Sequence, residues 1–389
     1  MLGLLFLASL LSLAGCADDS TSSEQSQDHV TDGHADAGAE SGLDLAAKAD
    51  ALQAALETWR DDLDVTGASA VIKTADGQVW EGAAGLADVK TNRPSTPDYH
   101  YRIASITKHI VAAAFMSMVE DGQLSLDDKL SDYREYPNGE NITLRMLLNH
   151  SSGILDYQTS ERFVAAASAN LTRRFEPDEI IQYAIDDGPK FEPGAGFHYS
   201  NTGYLLLGQV LEKVSGKKAH EVLRERVFAP AGMRQSYLSP AETLPEGERL
   251  ATGYSNAIEG ITLDFSKAAN DVIETIAWTA GGVMSTASDV ADFGLAMMAH
   301  EVVSEASSQE MEKVGPRPNT TEGADYGLGT NVIEHAGLRT VGHGGGMPGF
   351  RTRLMYVPEL SVSIAVLSNG EEGDMLAATR RLLDVIVAE

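Results

Sequence analysis

Ser-x-x-Lys carries the clearest chemistry in this chain, and it stands at two places, Ser105-Ile106-Thr107-Lys108 and Ser215-Gly216-Lys217-Lys218. A serine hydroxyl becomes a nucleophile when a neighbouring base takes its proton, and a lysine can do so only as a neutral amine. On a helix, three-residue spacing puts both side chains on one face, one turn apart. Context separates the two copies. Ser215-Gly216 ends an apolar-periodic stretch, where glycine and lysine are ordinary helix-closing residues. Ser105 instead opens His109–Val119, a run apolar almost all round and therefore expected to be a central, buried helix. Burial there would lower the Lys108 pKa, because a low dielectric disfavours the charged amine. The helix N-terminus adds a backbone N–H and a positive field where an oxyanion would form.

Companion residues lie at a distance. Tyr-x-Asn occurs as Tyr136-Pro137-Asn138, Tyr199-Ser200-Asn201 and Tyr254-Ser255-Asn256. The first runs on into Gly139 and reads as a turn. Only the second stands between a Pro-Gly loop (Pro193-Gly194-Ala195-Gly196) and an apolar helix from Tyr204. His343-Gly344-Gly345-Gly346 lies where a β-like run meets a glycine-rich edge, which lets backbone approach a substrate closely. Gly344-x-Gly346-x-x-Gly349 matches a dinucleotide fingerprint, but Pro348 and a β-like run stand where that fingerprint needs a helix. Gly-x-Ser-x-Gly, the Walker A loop and His-Glu-x-x-His do not occur.

The elements that must position these residues follow from periodicity. Leu45, Ala49, Leu52, Leu56, Trp59 and Leu63 mark one face of an amphipathic helix, with Asp44 as its N-cap. Ala68–Thr74 and Gln78–Leu86 read as strands joined by Ala75-Asp76-Gly77, a hairpin signal. Helices are expected near Lys108–Glu120, Leu144–Asn149, Tyr204–Val214 and Ser288–Ala299, within a mostly helical region over 101–311. Strands return near Thr340–Gly342, Thr352–Val357 and Val362–Leu367, before a last helix over Met375–Val387. Strands at both ends with helices between them predict an α+β fold: one antiparallel sheet built from both chain ends, with flanking helices and an inserted helical region.

Composition narrows the function. The chain has 389 residues, 57 Asp and Glu against 29 Lys and Arg, and a net charge of −28. Nucleic-acid binders draw affinity from Lys and Arg on phosphates, so that class is disfavoured, as is docking on anionic lipid through a basic patch. With one cysteine there is no disulfide framework and no cysteine-rich metal site; no metal and no cofactor are expected. That cysteine closes Leu13-Ala14-Gly15-Cys16, after an uncharged apolar run too short to span a bilayer. The ending resembles the lipobox of bacterial lipoproteins. It implies a signal peptide over 1–15 and lipidation of Cys16, hence export and a membrane anchor in the cell envelope, on the periplasmic side where an outer membrane exists. Residues 16–43 are acidic, without Lys or Arg, and are expected to form an unfolded tether. The folded domain is expected over 44–389.

Taken together, the motifs resemble those of the serine β-lactamase and penicillin-binding-protein-like family, which includes class C β-lactamases, D-alanyl-D-alanine carboxypeptidases, D-aminopeptidases and family VIII esterases. Ser-x-x-Lys, Tyr-x-Asn and Lys/His-x-Gly appear in the family order at Ser105, Tyr199 and His343. Leu147-Leu-Asn-His-Ser-Ser-Gly153 and Ala280-Gly-Gly-Val-Met-Ser-Thr-Ala287 add landmarks, and the likeness covers about Leu45 to Glu389. It implies a β-lactamase/transpeptidase-like fold and an acyl-enzyme on Ser105, with Lys108 as proton acceptor or electrostatic partner. Tyr199 would pass the proton to the leaving group. Asn201 would bind the substrate amide and steady Lys108. His343 would supply positive or hydrogen-bonding character beside Tyr199. Gly345 and Gly346 would line the substrate, and the N–H groups of Ser105 and Gly346 would form the oxyanion hole. Whether Lys108 or Tyr199 is the base stays open.

Gly344 departs from the family pattern, which commonly has a hydroxyl residue there to bind a substrate carboxylate. Arg351 or Arg353 could supply that recognition, or could face solvent. The expectation is a serine hydrolase of D-amino-acid peptides or related amides, D-alanyl-D-alanine carboxypeptidase-like. A family VIII-type esterase or class C-like β-lactamase is the alternative, and an idle peptide-binding lipoprotein the non-enzymatic one.

Overall fold

Apolar runs from the two ends of the chain pair with each other. A computed structural model describes residues 43–258, 261–264, 270–315 and 325–388. The expected signal peptide, Cys16 and all but the last residue of the expected tether lie outside the described residues. Strands β1 (Gly67–Thr74), β2 (Val79–Asp88) and β3 (Arg93–Pro94) come first. The middle holds β4 (Tyr101–Arg102), β5 (Tyr237–Leu238), β6 (Tyr254–Ile258), β7 (Ile261–Asp264) and β8 (Val283–Ser285). Then come β9 (Asp325–Tyr326), β10 (Asn331–His335), β11 (Leu338–Met347), β12 (Phe350–Val357) and β13 (Val362–Ser368).

An eight-stranded sheet runs β3-β2-β1-β13-β12-β11-β10-β9, and its pairings are antiparallel. First and last strands meet in its centre, where Ala68 faces Ser368 and Thr74 faces Val362. This is the expected α+β sheet from both chain ends. Every residue of β13 is buried, because helices cover both sides. Ile364 and Val366 pack with Leu52, Leu56 and Trp59 of the helix Ala49–Asp62 and with Leu382, Leu383 and Ile386 of the helix Met375–Val387. Ala365 and Leu367 point the other way, into the core shared with the helical middle. There the helix Ile106–Glu120 is buried along most of its length, as its nearly continuous apolar sequence requires.

Differences from expectation are local. Asp44 caps the turn before the first helix, its carboxylate accepting from Ala47 N–H at 3.0 Å. Helices Glu161–Ala169, Pro177–Asp187 and Asn270–Gly281 add to the expected set. Trp278 interrupts the last of these with φ +29. Strand β11 does not stop at Gly342 but continues through the three glycines, with Gly345 opposite Thr352 and Gly346 opposite Arg351. Glycine's low strand preference suggests an end there; pairing with β12 overrides it.

His109 follows Lys108 into this core, and neither of its ring nitrogens has a partner among the described residues. Burial lowers its pKa from 6.5 to about 3. Between those pH values the unfolded chain takes up a proton that the folded one refuses, so stability falls as pH falls, by roughly 5 kcal/mol in full. His109→Leu should therefore lose less Tm than wild type between pH 7 and pH 4. Equal losses in calorimetry would show that His109 is not an acid-labile element.

Candidate active site

Ser105 lies at the junction of β4 and the helix Ile106–Glu120, preceded by Ala104 at φ +48. Positive φ is uncommon outside glycine, and such strain concentrates at working sites. The junction is tied down on both sides: Ile103 N–H donates to the Val283 carbonyl at 3.0 Å, and Val283 N–H donates to the Thr107 hydroxyl at 3.2 Å. Lys108, 0% exposed, places Nζ 3.0 Å from Ser105 Oγ. Its other neighbours are Asn201 Oδ1 at 2.6 Å and the Ala280 carbonyl at 2.7 Å. Burial lowers the Lys108 pKa from 10.5 to about 7, with the Asp156 carboxylate pulling the other way. Near neutral pH a substantial fraction of the amine is thus unprotonated and able to accept a proton.

Asn201 opens the helix Asn201–Ser215 behind Ser200, whose hydroxyl accepts from Gly203 N–H. While its oxygen faces Lys108, its Nδ2 donates to Asp156 Oδ2 at 2.9 Å and to Gln158 Oε1 at 3.1 Å. Both amide hydrogens are therefore taken. In this arrangement the Asn201 oxygen faces Lys108 and its amide hydrogens face Asp156 and Gln158. Asp156 is itself buried, and desolvation raises its pKa while the Gln158 amide, Lys108 and Asn201 oppose the rise. As a carboxylate it fixes which way the Asn201 amide points.

Tyr199 closes this side, its ring centroid 4.8 Å from Lys108 Nζ and 4.2 Å from that of His150. His343 sits across on β11, ring centroid 6.4 Å from that of Tyr199, and is 4% exposed. Its nitrogens meet protein groups: Nε2 lies 3.0 Å from Tyr326 Oη, and Nδ1 contacts the Gly344 carbonyl. Burial, then the nearby Lys108 charge, holds its pKa well below the ordinary imidazole value. His343 is thus held neutral at physiological pH, and of the positive or hydrogen-bonding character expected there, this geometry offers the hydrogen bonding, directed at Tyr326.

The glycines divide by face. His343 and Gly345 pair with Leu354 and Thr352, on the Ser105 side of the sheet, where Thr352 Oγ1 donates to the Ile103 carbonyl at 2.8 Å. A Cβ on Gly345 would lie 2.5 Å from that carbonyl oxygen and 3.0 Å from Ser105 N. The strand edge therefore passes directly over the nucleophile's amide, with Gly346 next along it. Gly344 pairs with Arg353 on the opposite face, and a Cβ there would meet Arg353 Nη1 at 3.1 Å. By the same alternation Arg351 shares that face, as do Met355 and Val357, which belong to the core under the terminal helices. Arg353 therefore lies beside Gly344, the position where the family commonly has its hydroxyl residue.

Sequence reasoning passed over Asp156, Gln158 and Tyr326. Each acts through tertiary contact, without a local motif that would single it out. Among the described residues no group of His, Cys, Asp and Glu could hold a metal ion, and no helix is long and apolar enough to cross a membrane.

The Beta-lactamase family model matches residues 49–389, and the chain belongs to that family. It is 29% identical over 331 residues to Penicillin-binding protein 4* of Bacillus subtilis (strain 168), covering 82% of this chain and 72% of the relative. With the D-aminopeptidase of Brucella anthropi it shares 30% identity over 325 residues, 79% of this chain and 56% of that protein. It thus spans little more than half the length of that D-aminopeptidase. Among solved structures, the D-amino acid amidase from Ochrobactrum anthropi SV3 complexed with D-phenylalanine superposes with a TM-score of 0.76 at 26% identity, over 87% of this chain and 99% of the other. The family and its relatives make this chain a serine hydrolase.

Proposed function

We propose that the chain hydrolyses D-amino-acid amides or short peptides with a D-residue on the acyl side, through an acyl-enzyme on Ser105. The observation that carries this reading is the 3.0 Å contact between Ser105 Oγ and a fully buried Lys108 Nζ. Neutral Lys108 takes the Ser105 proton as Oγ bonds to the substrate carbonyl carbon. The resulting oxyanion is met by the Ser105 and Gly346 N–H groups. When the C–N bond breaks, the proton passes from Lys108 through Tyr199 to the departing nitrogen. Water then adds to the ester carbon as neutral Lys108 takes one of its protons, and Ser105 Oγ leaves with that proton returned from Lys108. Asn201 and Asp156 hold the amine in line.

The substrate class rests on the D-amino acid amidase and D-aminopeptidase likenesses. Carboxypeptidase action needs a group for the free carboxylate, and Gly344 lacks the hydroxyl that the family commonly has there. Ammonia release from D-phenylalanine amide and its L-enantiomer, by wild type and Ser105→Ala, tests the assignment. Turnover of the D-amide, lost in the variant, is expected. Undiminished turnover in Ser105→Ala, or cleavage of esters alone, would end this reading.

The lipid anchor belongs to the same proposal, on the strength of Leu13-Ala14-Gly15-Cys16 and the acidic stretch after it. Cys16→Ala should abolish incorporation of labelled fatty acid and release the protein from the membrane fraction. Labelling that persists in the variant would rule the anchor out.

A further inference from the structure

Tyr326 lies outside the three motifs, is buried, and stands in β9 at the end of the sheet. Its hydroxyl lies between two imidazoles, 3.1 Å from His150 Nε2 and 3.0 Å from His343 Nε2. The partners of the remaining nitrogens decide where the protons are. Ser200 N–H donates to His150 Nδ1 at 3.1 Å, so neutral His150 carries its hydrogen on Nε2 and donates to Tyr326 Oη. At the other end the Gly344 carbonyl can only accept, so His343 carries its hydrogen on Nδ1. His343 Nε2 is then an acceptor, and the single Tyr326 proton goes to it.

We propose that Tyr326 is a positioning residue whose hydroxyl locks His150 and His343 into opposite neutral tautomers and so pins the Tyr199–Asn201 wall of the cleft to the Gly344–Gly346 wall. The inference rests on the acyl-transfer reading of this site and adds to it a device that sets the cleft's width. One end of the chain holds the backbone between Tyr199 and Asn201. The other holds the carbonyl beside Gly345, which packs on the Ser105 amide. Tyr199, Asn201, Gly345 and the Ser105 amide are thereby joined through one hydroxyl.

The surroundings keep both rings neutral. Around His343 stand Lys108 and His109 of the serine helix, Arg353 of β12, and the Tyr199 and Tyr326 rings. Around His150 stand Lys108, His198, His343 and the rings of Phe197, Tyr199, Tyr204 and Tyr326. The charged groups in these sets are cationic and disfavour a second proton on either imidazole, in keeping with the lowered pKa of both rings.

Nitrogen-15 spectra of the histidines in the wild-type enzyme at pH 7 should show an Nε2–H tautomer for His150 and an Nδ1–H tautomer for His343. Tyr326→Phe keeps the ring but removes the hydroxyl. It should lower kcat roughly tenfold to hundredfold with little change in KM, as a small misplacement of reacting groups does. It should also mix the His343 tautomers. The opposite tautomer at either histidine overturns the proposal whether or not the variant folds. So does a folded Tyr326→Phe with unchanged kcat and spectra. Wild-type tautomers are read without turnover, so an inactive enzyme with the expected spectra would count against the proposed function while leaving the hydrogen-bond lock in place.

Discussion

Lys108→Met lowers kcat/KM on a D-amino-acid amide by roughly 10²–10⁴-fold, the usual contribution of a positioned general base. Methionine matches the stem of lysine and removes the amine that touches Ser105 Oγ at 3.0 Å. In wild type, kcat/KM should rise with pH through about 7 and level off above it, because the protonated amine cannot accept the Ser105 proton. The sign follows from the larger of two opposed influences. Burial lowers the Lys108 pKa, and the Asp156 carboxylate raises it. Asp156→Asn removes the second while keeping an oxygen for the Asn201 amide, so the acid limb should move to lower pH. A limb that stays in place in Asp156→Asn, or a Lys108→Met enzyme within a few-fold of wild type, would take the base role away from Lys108. Circular dichroism on each variant separates this from misfolding.

The parts of this site that were legible in the sequence are those fixed by short-range geometry. Ser105 and Lys108 needed only a helix and three-residue spacing. The sheet from both chain ends followed from where the β-like runs lie, and β13 was recognisable because a strand buried on both faces is apolar without alternation. Tertiary direction was not legible. That His343 would turn Nε2 toward Tyr326, or that both Asn201 hydrogens would go to Asp156 and Gln158, depends on groups far away in the chain. Asp156 in particular is one acidic residue among many in a chain of net charge −28, and composition hides the one that is buried. The continuation of β11 through Gly344–Gly346 was missed for a related reason. Glycine reads locally as the end of a strand, whereas here its missing side chain is what allows the strand to cross the nucleophile.

That last point gives adjacent glycines opposite tolerances. In Gly345→Ala the new Cβ would sit 2.4 Å from Thr352 Oγ1, 2.5 Å from the Ile103 oxygen and 3.0 Å from Ser105 N. Two of these are backbone atoms held by the Ser105 junction, so β11 must withdraw from the cleft. The Gly346 N–H would move with it, away from the developing oxyanion. Losing one such donor costs about 2.7–4 kcal/mol, or 10²–10³ in kcat. Gly345→Ala is therefore expected to lower kcat by roughly a hundredfold or more, with KM less affected. In Gly344→Ala the Cβ points to the other face and meets only the end of the Arg353 side chain at 3.1 Å, with other neighbours at ordinary distance. A side-chain terminus can shift by a few tenths of an ångström, and no atom of the Ser105 junction is met. Gly344→Ala should keep kcat within a few-fold of wild type. Steady-state kinetics on the two purified variants decide the matter: equal losses, or a Gly345→Ala enzyme with wild-type kcat, would mean that the closeness of β11 to the Ser105 amide does not shape the oxyanion site.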